Sequence, residues 1–274
     1  MKYCDLHNHS NNSDGSVSPS ELIDYAIEKG LCAVALTDHN TIDGICELQK
    51  YAKDKNIEAV SGCEITTEFL NKETHLLALF IKEEKAFEME EFLKERLRLK
   101  ALSNIDLEKN LKNAGFKIDL SEMIEKYGKN INRAHFAKEL INEGYVKTTK
   151  EAFNTILKPD GDYYKPLKRP EIVDTIRLVR KWEAVPVLAH PLLSLEKGEL
   201  EKLLPEAKKA GLVGLEVYYP EFSKEQTEYL ISLCEKYDLV KSGGSDYHGE
   251  MKTHSDLATA TTPYENYIKL KNQN

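Results

Sequence analysis

Short apolar runs alternate with longer stretches of helical periodicity along most of this chain. Residues 2–6 read as a first strand. The residue types at Ser18-Pro19-Ser20-Glu21 then announce a helix. Ser18 is suited to cap it, Pro19 to fill the first helical position, and Glu21 to bond back to the cap. Gly30 is a natural stop. A doubly apolar run at 32–37 predicts a second strand, residues 43–56 a helix, 57–63 a third strand and 74–81 a fourth.

The rhythm breaks at Lys82. From there to about Leu157 the chain is helical in pattern, heavily charged and without a clear strand run. The cluster Lys158-Pro159-Asp160-Gly161-Asp162 predicts a turn. Alternation then resumes, with helices over 171–182, 199–210 and 223–237 and strands over 185–189, 212–217 and 239–243. About seven strands joined by helical crossovers predict an α/β fold with a parallel sheet, closed as a barrel. The boundaries place the barrel at 1–81 and 170–274, with 82–169 as a mainly helical insertion forming the substrate lid.

Composition narrows the partners. A net charge of −8 argues against broad affinity for nucleic-acid backbone or an anionic membrane, and leaves a local basic pocket open. The five cysteines are odd in number and lack CxxC spacing, so reduced, mostly buried thiols in a cytoplasmic protein are expected. The first residues have no charged-then-apolar leader pattern, so no signal peptide is expected. No apolar run is long enough to span a membrane.

The polar residues that punctuate the strand ends carry the chemistry. They are His7 and His9, Asp14, His39, Glu64, His75, His190, Asp246 and His248. In a parallel barrel, functional groups collect at the carboxyl ends of the strands, where these fall except Asp14, in the turn Asn11-Asn12-Ser13-Asp14-Gly15, and His75, near the start of its run. His7 and His9 are two apart, as are Asp246 and His248, so each pair faces one side of a strand. A lone histidine in a strand is usually a packing residue, Asp14 alone a turn residue and Glu64 alone a solvated strand end. Six of the eight histidines fall in this set, which packing does not explain. Mixed His and carboxylate ligation without Cys suits two or three divalent ions, Mn, Zn or Fe, in a hydrolytic site.

His7-x-His9, Asp14, Thr37-Asp38-His39, Glu64, His75, Ala189-His190-Pro191 and Ser245-Asp246-x-His248 together resemble the motifs of the polymerase-and-histidinol-phosphatase (PHP) family of metal-dependent phosphoesterases. The resemblance covers nearly the whole chain. It implies a distorted seven-stranded (β/α)7 TIM-like barrel with a trinuclear metal site. One ion would take His7, His9, Glu64 and Asp246; the second Asp14, His39 and His248; the third Glu64, His75 and His190, with Glu64 bridging. Asn132-Arg133-Ala134-His135-Phe136-Ala137, Glu151-Ala152-Phe153 and Tyr163-Tyr164-Lys165-Pro166 resemble the branch that acts on nucleoside phosphates. Ala134 departs from that branch's usual Pro, and Lys165 from its usual apolar residue.

The chemistry such a site implies is attack of a metal-bridging hydroxide on phosphorus, with the metals offsetting developing charge. Arg133 is a candidate for a fork-like phosphate contact, against an ordinary helix-surface role. His135 is a candidate for touching the substrate or protonating the leaving oxygen, against helix packing. Lys165 could meet a second phosphate, while Lys168 and Arg169 read as a solvated run. Tyr163 and Tyr164 could stack on a base, or pack the insertion onto the barrel. Asp38 is expected to orient a liganding histidine.

The expected activity is hydrolysis of a phosphate monoester of a small metabolite, a nucleoside monophosphate or 3′,5′-bisphosphate. A short-oligonucleotide exonuclease, a histidinol-phosphate phosphatase and a non-catalytic nucleotide-binding module are the alternatives. No membrane partner and no obligate protein partner is implied.

Overall fold

The computed structural model describes residues 2–128, 131–159, 161–165, 167–251 and 255–274. Asp160 of the predicted turn, Pro166 and His254 lie outside the described residues. The chain divides into two compact units, Met1–Leu93 with Arg169–Asn274, and Lys94–Lys168.

In the first unit the elements run β1 (Tyr3–Asp5), α1 (Pro19–Glu28), β2 (Ala33–Leu36), α2 (Ile45–Ala52), β3 (Glu58–Phe69) and β4 (Lys72–Leu79). Helix α3 (Glu83–Asn113) begins in this unit and ends in the second, which continues with α4 (Leu120–Tyr127), α5 (Arg133–Asn142) and α6 (Thr149–Asn154). The first unit resumes with α7 (Ile172–Lys181), β5 (Val185–Ala189), α8 (Lys197–Ala210), β6 (Gly214–Tyr218), α9 (Lys224–Tyr237), β7 (Val240–Gly243), β8 (Thr262–Pro263) and α10 (Tyr264–Lys271). The capping box predicted at Ser18 and Glu21 forms, with Pro19 opening α1.

Among the described residues the sheet has eight strands in the order β7-β6-β5-β4-β3-β2-β1-β8. The Leu6 N–H donates to the Gly243 carbonyl at 3.3 Å, and the Gly243 N–H to Thr262 Oγ1 at 2.7 Å. These bonds draw the two ends of the sheet together into a nearly closed, TIM-like α/β barrel.

The sheet is not uniformly parallel. β4 runs antiparallel to both β3 and β5, and the short β8 runs antiparallel to β1. β3 runs on past the expected stop at Cys63 and turns back through Leu70 and Asn71, whose φ values are 51° and 62°. Positive φ at both central residues is the geometry of a two-residue hairpin, which can join only antiparallel strands.

Alternate strand residues sort into different cores, as the twofold strand period requires. Cys4, Leu6, Ala33, Ala35, Leu77, Leu79, Val185 and Val187 cluster with Tyr267 and Leu270 of α10. This is the barrel interior. The Tyr267 hydroxyl donates to Glu58 at the start of β3, so α10 covers the amino ends of the strands and leaves the carboxyl ends for chemistry. The intervening residues Val34 and Leu36 face Leu22, Ile23 and Leu48 of α1 and α2. Ile65, Leu188 and Leu215 face α7, α8 and α9.

The second unit has its own core, built from Leu107, Leu111, Met123, Phe136, Leu140 and Leu157. Its boundary falls inside α3 rather than at Lys82, because Met89 and Leu93 pack in the barrel's outer core. Among the described residues no helix is long and apolar enough to cross a membrane.

Candidate metal centre

Backbone pairing continues beyond β1 and β7 and sets the two pairs of candidate ligands side by side. The Asp246 N–H donates to the His7 carbonyl and the His9 N–H to the Tyr247 carbonyl, both at 2.9 Å. This lacing places His7 and His9 against Asp246 and His248. Only glycine fits at Gly244, where an added Cβ would lie 2.3 Å from the Cβ of His7. Asp5 locks the junction from below. Its buried carboxylate accepts the Ser245 N–H, the Ser245 hydroxyl, the Ala258 N–H and the Asn8 side-chain amide. Burial pushes its pKa up to about 6 against the pull of those bonds.

Glu64 is the hub. Its Oε2 lies 3.2 Å from His7 Nε2, 3.3 Å from His9 Nε2 and 3.1 Å from His39 Nδ1. Its Oε1 lies 2.8 Å from His75 Nδ1 and 3.0 Å from His190 Nε2. Asp246 Oδ1 is 3.0 Å from His9 Nε2, and Asp14 Oδ1 is 3.2 Å from His248 Nε2. Among the described residues three overlapping sets have donor atoms mutually within 4.8 Å. They are His7, His9, Glu64 and Asp246; His9, Asp14, His39 and His248; and His39, Glu64 and His75. The first is the set the resemblance implies, and the second adds His9 to it. In the third, His39 takes the place expected of His190, whose ring meets Glu64 but stacks on His7 with centroids 5.5 Å apart.

The antiparallel course of β4 explains His75. Its early residues lie at the carboxyl ends of the neighbouring strands, and His75 pairs with Thr66 of β3 and Ala189 of β5. His39, Asp14 and His75 keep side-chain exposures of 20%, 20% and 17%, against 0% for His7, His9 and Glu64. The cluster therefore opens to solvent on the His39, Asp14 and His75 side.

Charge is tightly coupled here. Burial works against the ionised form of Glu64, but His39, His7 and His75 override it and hold the carboxyl well below its usual range. Burial likewise disfavours a charged His7 ring, yet Glu64, Glu216 and Asp246 raise it well above the usual histidine value. His9 is held well below that value by burial and by His248 and His39.

The buried Nε2 of His7, both ring nitrogens of His9, Nδ1 of His75, Nε2 of His248 and Oε2 of Glu64 make no hydrogen bond. Buried polar atoms normally find a partner. Atoms of this kind that converge on common points, all imidazole or carboxylate, fit divalent metal.

A backbone carbonyl and a carboxylate that are not donor atoms of the three sets aim two of the rings. The Asp246 carbonyl lies 2.7 Å from His248 Nδ1, and Glu73 Oε1 lies 3.2 Å from His75 Nε2. Asp38, expected to orient a histidine, does not. Its carboxylate accepts the Ser10 N–H and the hydroxyls of Ser10 and Ser13, which ties down the loop that leads to Asp14. Arg169 is no solvated residue either: it pairs with Glu73 and so backs His75. Two site neighbours were missed in the sequence. The Tyr219 hydroxyl donates to Asp246 Oδ2 at 2.9 Å, and Glu216 lies buried against His7. For Glu216 a signal exists: it is a carboxylate inside the apolar run Leu215-Glu216-Val217.

In the second unit, Arg133 opens α5 with its guanidinium 4.9 Å from the Phe153 ring centre and 4.7 Å from that of Tyr164. Nη1 donates to the Leu157 carbonyl. His135 is buried and stacked on Tyr127, and its Nδ1 accepts the Asn132 N–H, which caps the helix. Tyr163 packs edge-on against Phe116, and Arg133 covers the Tyr164 ring, so both rings serve this unit's own core. Lys165 is exposed.

A model of the PHP domain family matches residues 5–142. The chain is 29% identical over 268 residues to a 5′-3′ exoribonuclease of Haemophilus influenzae, covering 96% of this chain and 97% of that protein. It is 26% identical to a phosphoribosyl 1,2-cyclic phosphate 1,2-diphosphodiesterase of Eggerthella lenta, covering 90% and 94%. It is 27% identical to a 3′,5′-nucleoside bisphosphate phosphatase of Chromobacterium violaceum, covering 90% and 88%. A solved structure of a candidate metal-dependent phosphoesterase of Bifidobacterium adolescentis superposes with a TM-score of 0.82 at 25% identity, covering 98% and 96%.

Proposed function

Because this chain belongs to the PHP domain family, we propose that it is a metal-dependent phosphoesterase acting on a phosphate monoester of a small metabolite, a nucleoside monophosphate or 3′,5′-bisphosphate. The observation that carries this reading is the convergence of buried, unbonded imidazole and carboxylate atoms on Glu64. His7, His9, Glu64 and Asp246 would hold one ion, and Asp14, His39 and His248 a second. His75 and His190, both against Glu64 Oε1, would hold a third. Mn, Zn or Fe suits these donors. Ions held there supply Lewis acidity toward water and toward phosphate oxygens.

The chain's own residues prepare that chemistry. Glu64 belongs to two of the sets and touches His9 and His39 of the remaining one, so its carboxylate bears on their spacing. Asp14, His39 and His75 line the open side, where a phosphate would enter. As a proposed substrate residue, Arg133 carries a permanently charged guanidinium with a fork suited to phosphate, held by stacking on Tyr164 and Phe153. His135 accepts the Asn132 N–H at Nδ1, so in the neutral ring Nε2 is the N–H nitrogen that would serve a leaving oxygen. Lys165 and Tyr164 complete the proposed substrate residues. The five free thiols fit a reducing, cytoplasmic compartment.

The test is phosphate release in Mn²⁺ from a panel of nucleotides, bisphosphates, histidinol phosphate and sugar phosphates. Turnover of nucleoside phosphates is expected. No turnover of any compound by protein that has bound metal would overturn the reading. The similarity to the exoribonuclease over nearly the full length of both chains favours a second reading, removal of nucleotides from short RNA ends. Activity that rises with oligonucleotide length would select it.

A further inference from the structure

Glu216 lies on β6 with no exposed surface, and that strand contributes none of the nine candidate ligands. Its carboxylate reaches two strands at once. Oε1 is 3.1 Å from His7 Nδ1, and Oε2 accepts the backbone N–H of His190 at 2.7 Å. His7 turns its other nitrogen, Nε2, toward Glu64 and Asp246, at 3.2 and 3.5 Å. His190 sits at φ 22° and ψ 56°, a backbone state that residues with a β-carbon adopt only when neighbours impose it.

We propose that Glu216 is a positioning residue for the metal centre. A carboxylate can only accept, so its contact with Nδ1 makes that nitrogen the protonated one. The lone pair at Nε2 is then left for metal. The same carboxylate anchors the turn after β5 and aims the His190 ring at Glu64. A partner that fixes the tautomer and orientation of a metal-binding histidine in this way commonly governs affinity. The proposal rests on the metal-centre reading above.

The experiment compares wild type with Glu216→Gln and Glu216→Ala, and with His7→Ala as a control that removes a proposed ligand. Zinc retention is measured by titration against a chelator, and folding by thermal melts. The His7 tautomer is read from ¹⁵N–¹H ring couplings in the zinc-loaded protein, with His7→Ala assigning the signals. Wild type should show the Nδ1–H form at His7. In E216Q the amide oxygen keeps one contact while the amide nitrogen opposes the other N–H. Zinc retention should therefore fall about 10- to 100-fold while the fold persists. E216A should lose retention at least as severely and lose the single His7 tautomer. Wild-type retention in E216Q, or an unchanged His7 tautomer in E216A, overturns the proposal. If E216A does not fold, retention in E216Q decides. Failure of wild type itself to take up metal would instead overturn the metal-centre reading.

Discussion

Oε1 of Glu64 lies 2.8 Å from Nδ1 of His75, although the two residues belong to strands that run in opposite directions. Their meeting depends on the β3–β4 hairpin. The same carboxylate reaches four other imidazoles, so its loss cannot be confined to one ion.

Glu64→Gln should therefore reduce metal bound per chain across the centre and lower Mn²⁺-dependent phosphate release by at least about tenfold. His75→Ala should lose only part of the metal. Elemental analysis of purified, metal-loaded variants distinguishes them; equal retention in both would show that Glu64 is not shared.

His7→Ala and His9→Ala should each remove metal and activity together, because both side chains are buried in the set with Asp246. Phosphate release and metal content measured on the same preparations check this. Full activity in either variant would exclude it from the centre.

Chelation should lower the melting temperature as well as the activity, and Mn²⁺ should restore both. Binding to the folded state alone contributes about 2.7 kcal/mol when free metal exceeds Kd a hundredfold. Calorimetry with and without chelator measures the effect, and His7→Ala should blunt it.

The hairpin turn carries left-handed backbone at Leu70 and Asn71. Leu pays a steric cost there that Asn and Gly largely avoid. Replacing the pair by Asn-Gly should stabilise the protein by about 1 kcal/mol in urea unfolding. A loss of stability would mean that the exposed Leu70 packs usefully.

Glu58 joins α10 to β3 through the Tyr267 hydroxyl and Lys271. Burial alone would raise its pKa, but Lys271 and Tyr267 bring it below the usual value. A depressed carboxyl stabilises the fold fully above its unfolded pKa, and that contribution fades as pH falls through the folded value. Glu58→Gln should therefore be less stable than wild type at pH 7, with the gap narrowing below roughly pH 4. A gap independent of pH would assign the contact to packing rather than charge.

Much of this molecule is legible from residue order. The runs at 32–37 and 185–189 announce strands because both faces are covered, and Ser18-Pro19-Ser20-Glu21 announces α1 because capping is local. The pairing of the candidate ligands is legible because a spacing of two on extended chain sets one facing. The antiparallel course of β4 was not, since an apolar run has no direction and Leu70-Asn71 lacks the glycine that marks such turns. Asp38 misled for a related reason: adjacency to His39 in sequence says nothing of where its carboxylate turns, and it turns to Ser10 and Ser13.

The sequence by itself determined the barrel class, the donor types and the strand ends that carry them, because these follow from periodicity and side-chain chemistry. Only the tertiary structure decided how the donors group around Glu64, which side of the cluster meets solvent, and that Glu216 and Asp5 hold His7 and Ser245 in place. Those relations join residues far apart in the chain, and only the closure of the sheet brings them within a few ångströms.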